Sequence, residues 1–378
     1  MGELTTKVGS GSTPKGGNAV YTSVGHCFVR SQNVGMGYLI LDDIAHIDND
    51  IHQKHKATEL NEDDVLLNIT GASIGRTAIA TKEIEGGNVN QHVCIIRANS
   101  KVSPKFLCNY IQTKKIQNYI RSLQTGGSRE GLNFEQIRSF PISLPSIAEQ
   151  NKIAQLLDKL NEYIATQNKI IEDLKKLKSA IIEKHYRQAE KQTACIADLG
   201  EHFSVGNLAK DDLSETGTPC ILYGELFTTY GETISQIDSR TNKTGGMVLS
   251  KKGDLLFPSS TTVDAVSLIA PSVINIDNVV LGGDMFGIHI NSNFDAQYLS
   301  YFFNHIAKRR LAKYAKGSTI IHLHYADIEK AKLLLPCLKE QHRMAKCLVS
   351  LDDKINVETL SLNLLKNQKI YLLRHMFI

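Results

Sequence analysis

The sequence predicts an α+β protein built twice over: two similar globular units, each followed by a long helix, the two helices forming an antiparallel coiled coil with pseudo-two-fold symmetry. Three observations predict it. From Leu144 to about Ala189, Ile153, Leu157, Leu160, Ile164, Ile171, Leu174 and Ile181 recur in steps built from threes and fours. That spacing is the narrow apolar seam of a helix that pairs lengthwise with another. The stretch then returns 191 residues later, Leu144-Pro145 becoming Leu335-Pro336 and Glu149-Gln150 becoming Glu340-Gln341. Finally, the segments ahead of each helix follow one order of strands and loops, so the whole plan is duplicated.

The first unit spans residues 1–143. It opens on the Gly-rich loop 9–17, followed by a buried strand at Asp64–Ile69 and a turn at Gly71–Arg76. A second strand is expected at Asn90–Ile96, helical spacing runs from Phe106 to Leu123, and a loop at 126–134 leads into a short strand, Phe140–Leu144. Residues 144–190 form the first long helix. At about 1.5 Å per residue, roughly 45 residues reach roughly 65 Å, more than a small domain is wide, so the helix needs a partner.

Residues 191–334 repeat the plan. Asp254–Pro258 matches Asp64–Asn68, Asp284–Ile288 resembles Gln91–Ile95, and Tyr298-Leu299 stands for Phe106-Leu107. Residues 335–378 form the second long helix. The offset carries Leu157, Leu160, Ile164, Ile171 and Leu174 onto Leu348, Leu351, Ile355, Leu362 and Leu365. The polar interruptions coincide too, Gln167 on Glu358 and Lys178 on Lys369. Polar residues in a seam set register, so an antiparallel pairing is expected to place Lys178 beside Glu358 and Gln167 beside Lys369.

Composition bounds the function. Hydrophobic content of 42% and charged content of 22% suit a globular protein, and no apolar run reaches the roughly 18–20 residues of a membrane helix. Met1–Lys7 lacks the apolar core of a signal peptide. Seven cysteines without a C-x-x-C pair read as reduced thiols, and the expected location is cytoplasmic. A formal charge of +4 permits a nucleic-acid partner without requiring one.

No catalytic constellation is found. Gly71–Thr77 has three residues between its glycines where a phosphate loop needs four, and Arg76 where it needs Lys. His52 with His55, and His322 with His324, lack the further ligands that a zinc site requires. No catalytic, cofactor or metal site is therefore expected. The functional signal lies instead in polar, basic loops. In the first unit these carry Lys15, Lys54, Arg76, Arg121, Ser128 and Arg129; in the second, Lys243, Lys251, Lys316, Thr319 and His322. Such a mixture is expected to neutralise phosphates while Ser, Thr, Asn, Gln and Arg read base edges.

Two copies of Leu-Pro-(Ser/Cys)-(Ile/Leu)-x-Glu-Gln-x-x-(Ile/Met)-Ala-x-x-Leu-x-x-Leu, with Thr70–Arg76 and Leu132–Ile137, resemble the DNA-specificity subunits of Type I restriction–modification systems. The second unit departs at Ser260–Asp264, which replaces the glycine turn. The resemblance implies that each globular unit is a target-recognition domain reading half of a bipartite, asymmetric site in double-stranded DNA. It implies a helix pair that sets the spacer and docks two modification (methyltransferase) subunits and, through them, restriction subunits. S-adenosylmethionine, ATP and magnesium would belong to those partners, and no membrane is involved. The competing reading is a coiled-coil scaffold without DNA recognition, which explains the helices but not the doubled, loop-diverged units.

Overall fold

The computed structural model describes residues 1–124 and 131–377. The fold is α+β, and the chain divides into two compact units: Met1–Lys169 with Thr359–Ile378, and Ile170–Glu358.

In the first unit a four-stranded antiparallel sheet runs in the order Thr5–Ser10, Val93–Ala98, Val65–Asn68, Thr77–Ile79. Val65–Asn68 is buried along its whole length. An interior strand covered on both faces reads as a continuous apolar run, which is how the sequence shows it. Asp64, just ahead of it, is buried and holds Arg97 through two 2.7 Å bonds, pinning neighbouring strands. A second sheet orders Ala45–Ile47, His26–Val29 and Asn88–Val89.

The expected helix at 106–123 is two helices, Pro104–Ile111 and Lys114–Ser122. The break falls at Gln112-Thr113, where the Thr113 hydroxyl caps the Ile116 amide and starts the second helix. The expected strand at Phe140–Leu144 is not formed. Its counterpart in the second unit, Lys332–Leu335, has Gln192–Cys195 to pair with. Phe140 instead accepts only the Met1 amine, at 2.8 Å, beside the turn Gly2–Leu4.

The second unit holds a five-stranded sheet in the order Thr233–Ile234, Ser272–Ile274, Asp254–Pro258, Met285–Ile290, Gly200–Ser204. Asp254 repeats the role of Asp64, meeting His289 Nδ1 at 2.6 Å. A four-stranded sheet of Arg240–Thr241, Leu213–Leu222, Val280–Gly282 and Val248–Leu249 packs a separate small core.

The long helices are Ile147–Gln188 and Leu338–His375. Ile153, Ala154 and Leu157 join the first unit's core with Phe106 and Tyr110, as does Phe377. Ile182 joins the second unit's core with Met344, Ala345 and Leu348. The repeated Glu-Gln entry has a physical purpose. Gln150 and Gln341 are each 1% exposed; Gln150 Oε1 accepts the Ser103 amide at 2.9 Å and Gln341 Oε1 the Asp295 amide at 3.0 Å. Each glutamine thereby fastens the start of a long helix to the start of a helix in its own globular unit.

Of the expected seam residues, Leu157, Leu160, Ile171, Lys178, Leu348, Ile355 and Leu362 are buried, while Ile164, Gln167, Leu174, Leu351, Glu358, Leu365 and Lys369 are half-buried. The expected register is corrected. Lys178 Nζ meets Asp352 Oδ1 at 2.7 Å and both Glu232 oxygens at 3.1 Å, in place of Glu358. Glu358 pairs with Lys354 on its own helix. Glu232 lies outside the helices, which is why helical spacing did not reveal it, and Tyr301 Oη fixes Asp352 from the other side at 2.5 Å.

Candidate nucleic-acid interface

Both units bring the same two loops together. In the first, the turn after Val65–Asn68 bends at Gly71 and Gly75, whose φ values of 68° and 85° lie where side chains are strained. Thr70 forms a bridge with Gly131, and Gly75 O accepts Gln117 Nε2 at 3.0 Å. A polar chain extends the edge: Thr70 Oγ1 meets His92 Nδ1 at 2.5 Å, His92 Nε2 meets Gln91 Nε2 at 3.1 Å, and Gln91 Oε1 accepts the Thr13 hydroxyl. Lys15, Arg76 and Arg121 are exposed around these groups. Arg121 donates from Nη2 to Asn118 Oδ1 at 2.6 Å and from Nε to Gln117 O at 3.4 Å, which leaves Nη1 outward.

Lys54 stands elsewhere, at the end of helix Asn49–Lys54. His52 of that helix is spent on structure: it is buried, bonds Asn88 Oδ1 at 2.8 Å and stacks on His26 at 3.7 Å. Ser128 and Arg129 lie outside the described residues.

In the second unit Ser260–Thr261 pairs with Ile321–His322. Ser260 Oγ donates to Asp284 Oδ2 at 2.8 Å, and Lys316 exchanges backbone bonds with His322 at 2.7 and 2.8 Å. Asp264 shapes the loop by accepting the Val266 and Ser267 amides and the Ser267 hydroxyl, each at 2.8 Å. Those bonds, led by the Ser267 amide, hold its carboxyl below the usual range. The result is an open cavity of about 780 Å³ lined by Tyr223, Tyr230, Thr261, Thr262, Asn304, Lys308 and His322, among others.

Two acids line it, Glu232 and Asp284, but Lys178 with His305 and Ser260, respectively, already engage them. What remains free to face a ligand is mainly hydroxyl, imidazole, the oxygen of one amide and one ammonium, a set that reads hydrogen-bonding edges more than it neutralises phosphate. Among the described residues no group of three or more His, Cys, Asp or Glu could hold a metal, and no helix is long and apolar enough to cross a membrane.

Of the residues expected in the second unit, the fold brings His322 to this cavity; Lys316 is bridged to His322 through the backbone but commits its ammonium to Asp327 at 2.5 Å, and Thr319 is exposed on the loop between them. The fold does not bring Lys243, which pairs with Asp212 at 2.9 Å, or Lys251, whose amide closes a turn on Asp254 at 2.8 Å. Sequence reasoning missed Tyr223, Tyr230, Thr261, Thr262 and Asn304 as lining groups. The one available signal was the Ser/Thr-rich segment 259–262 standing where the first unit has its glycine turn.

A sequence model of the family described as Type I restriction modification DNA specificity domain matches residues 16–176 and again 189–367. The chain belongs to this family. Its specificity-domain relatives include a candidate type I restriction enzyme specificity subunit of Haemophilus influenzae, 24% identical over 308 residues, covering 75% of this chain and 73% of the relative. The MjaVIII specificity subunit of Methanocaldococcus jannaschii is 23% identical over 330 residues, covering 80% and 76%. The crystal structure of a Type I restriction–modification S subunit from M. genitalium shares the fold of this specificity-family chain. Its TM-score is 0.63 at 15% identity, covering 100% of this chain and 94% of that one.

Proposed function

We propose that this chain is the non-catalytic DNA-reading subunit of a Type I restriction–modification assembly. Residues 1–143 and 191–334 are its two target-recognition domains, each reading half of a bipartite, asymmetric site. The long helices, 144–190 and 335–378, lie antiparallel and set the unspecified spacer. In the second unit, contacts advance from Lys178 to His185 on the first helix while retreating from Asp352 to Glu340 on the second, which supports that direction.

One observation carries the reading: the same loop pair, Thr70 against Gly131 and Ser260 against His322, is presented on a duplicated scaffold with different surface chemistry. An exposed Arg76 closes the turn of the first pair, and a hydroxyl-lined cavity adjoins the second. Two unlike readers specify a non-palindromic sequence, which two identical readers cannot.

The helices carry a second apolar stripe suited to partner helices. Leu156, Tyr163, Ile170 and Leu177 recur every seven residues and are 47, 62, 38 and 47% exposed. Val357, Leu364 and Tyr371 do the same on the second helix, at 58, 70 and 60%. Exposed heptad stripes are docking surfaces for further helices, here those of two modification subunits, through which restriction subunits join. S-adenosylmethionine, ATP and magnesium act in those partners, and the assembly works on DNA in the cytoplasm.

Genome-wide methylation mapping with this subunit present and absent tests the reading. Appearance of one asymmetric two-part methylated motif is expected; unchanged methylation with intact modification subunits would refute it.

A further inference from the structure

The duplication that relates the two units breaks down at one lysine of the helix seam. In the second unit the Lys178 ammonium is met by two carboxylates, Asp352 and Glu232. Displacement by 191 residues carries Lys178 onto Lys369, and Asp352 corresponds to Asn161 in the first unit. Glu232 has a counterpart in position but not in chemistry. Its carbonyl accepts the Val273 amide at 3.0 Å beside strand Ser272–Ile274; in the first unit the loop beside strand Thr77–Ile79 holds Gly37, whose amide donates to Thr77 O at 2.7 Å. A Cβ at residue 37 would stand 3.0 Å from Lys369 Nζ, so this backbone runs against the ammonium without supplying a side chain.

Lys369 consequently has neither an ion-pair nor a hydrogen-bond partner among the described residues. It lines a cavity of about 520 Å³ with Met36, Gly37, Tyr38, Asn161 and Lys366, and no acid lines that cavity. Burial, chiefly, holds the Lys369 ammonium below its ordinary pKa. Gln112 Oε1, which the same Cβ at residue 37 would approach to 2.6 Å, is buried and accepts no hydrogen bond.

We infer that this cavity receives an acidic side chain, Asp or Glu, from a polypeptide docked on the first unit. The inference rests on the reading that partner subunits pack along the long helices, and it names the chemistry of one contact. The carboxylate takes the place that Asp352 and Glu232 fill around Lys178 and neutralises a cation that the chain leaves uncompensated. A peptide also brings an N–H for Gln112 Oε1, which inorganic phosphate or a DNA phosphodiester does not. Met36 and Tyr38, 38 and 61% exposed, supply an apolar rim for the same segment.

Zero-length carbodiimide cross-linking and amine acetylation, read by mass spectrometry, test this on the full chain alone and in its complex with modification subunits. Lys369 is expected to acetylate in the free chain, to be protected in the complex, and to cross-link to one Asp or Glu of the modification subunit. Lys369→Met is expected to keep or raise the melting temperature while weakening assembly by about tenfold or more, the usual consequence of removing one side of a buried charge pair. Three results would overturn the inference: an assembled complex in which Lys369 stays reactive, protection by inorganic phosphate alone, or protection only on adding duplex DNA. Failure to form any complex would overturn the docking reading beneath it as well.

Discussion

Lys178 Nζ lies 2.7 Å from Asp352 Oδ1, joining the two long helices within the second unit, and Glu232 closes the site at 3.1 Å. Lys178 is 7% exposed, so this is a buried ion cluster rather than a surface pair. Tyr301 and His305 complete it, donating to Asp352 and bonding Glu232 at 2.5 and 2.9 Å. Removing the cation leaves two half-buried carboxylates facing each other, so Lys178→Met should destabilise the chain, by up to about 3–5 kcal/mol. Adding Glu232→Gln and Asp352→Asn should recover part of that loss, as measured by urea denaturation.

The same cluster gives a pH dependence. Burial raises the Glu232 carboxyl, but the His305 hydrogen bond and the Lys178 charge outweigh it and bring its pKa down to about 2. A depressed folded-state pKa contributes stability that is fully present above the ordinary glutamate value and lost as pH falls toward the folded value. The contribution is on the order of 3 kcal/mol. Denaturation midpoints should therefore fall more steeply in the native chain than in Glu232→Gln as pH drops from about 5 toward 3. Parallel curves would show that Glu232 is not held this way.

Gln341→Ala should destabilise the second unit by about 1–3 kcal/mol, because the partly buried Asp295 amide loses its acceptor. Gln150→Ala should do the same at Ser103. Hydrogen exchange is the discriminating readout: protection should drop at the amide of Asp295 in the first variant and of Ser103 in the second.

At the cavity of the second unit, His322→Ala and Lys308→Met should both weaken binding of the assembled complex to its DNA site. Loss of a base contact costs about 1–3 kcal/mol and relaxes the preference at one position, whereas loss of a phosphate contact lowers the salt slope by about one. Fluorescence anisotropy against salt and against single-base variants separates the two. If neither variant alters affinity or preference, the cavity does not face DNA.

The sequence showed what periodicity can show. Apolar spacing revealed both long helices, and a continuous apolar run revealed Val65–Asn68, because burial on one stripe or on both faces leaves a local signature. It could not show the partners of Lys178, since Glu232 arrives from a loop 54 residues away. Nor could it separate basic residues already committed within the fold, such as Lys243 to Asp212, from those that remain outward, such as Arg76. Net charge in loops is legible in a sequence, whereas its direction depends on tertiary neighbours. The pairing of Ser260 with His322 shows this at the cavity, joining residues 62 positions apart.

The most direct measurement is a domain exchange. Residues 1–143 would be replaced by the first unit of another family member, and the methylated motif of the reconstituted complex mapped by single-molecule sequencing. One half of the motif should change while the other half and the spacer length stay as they were. A motif altered in both halves, or in neither, would contradict two independent readers on one scaffold.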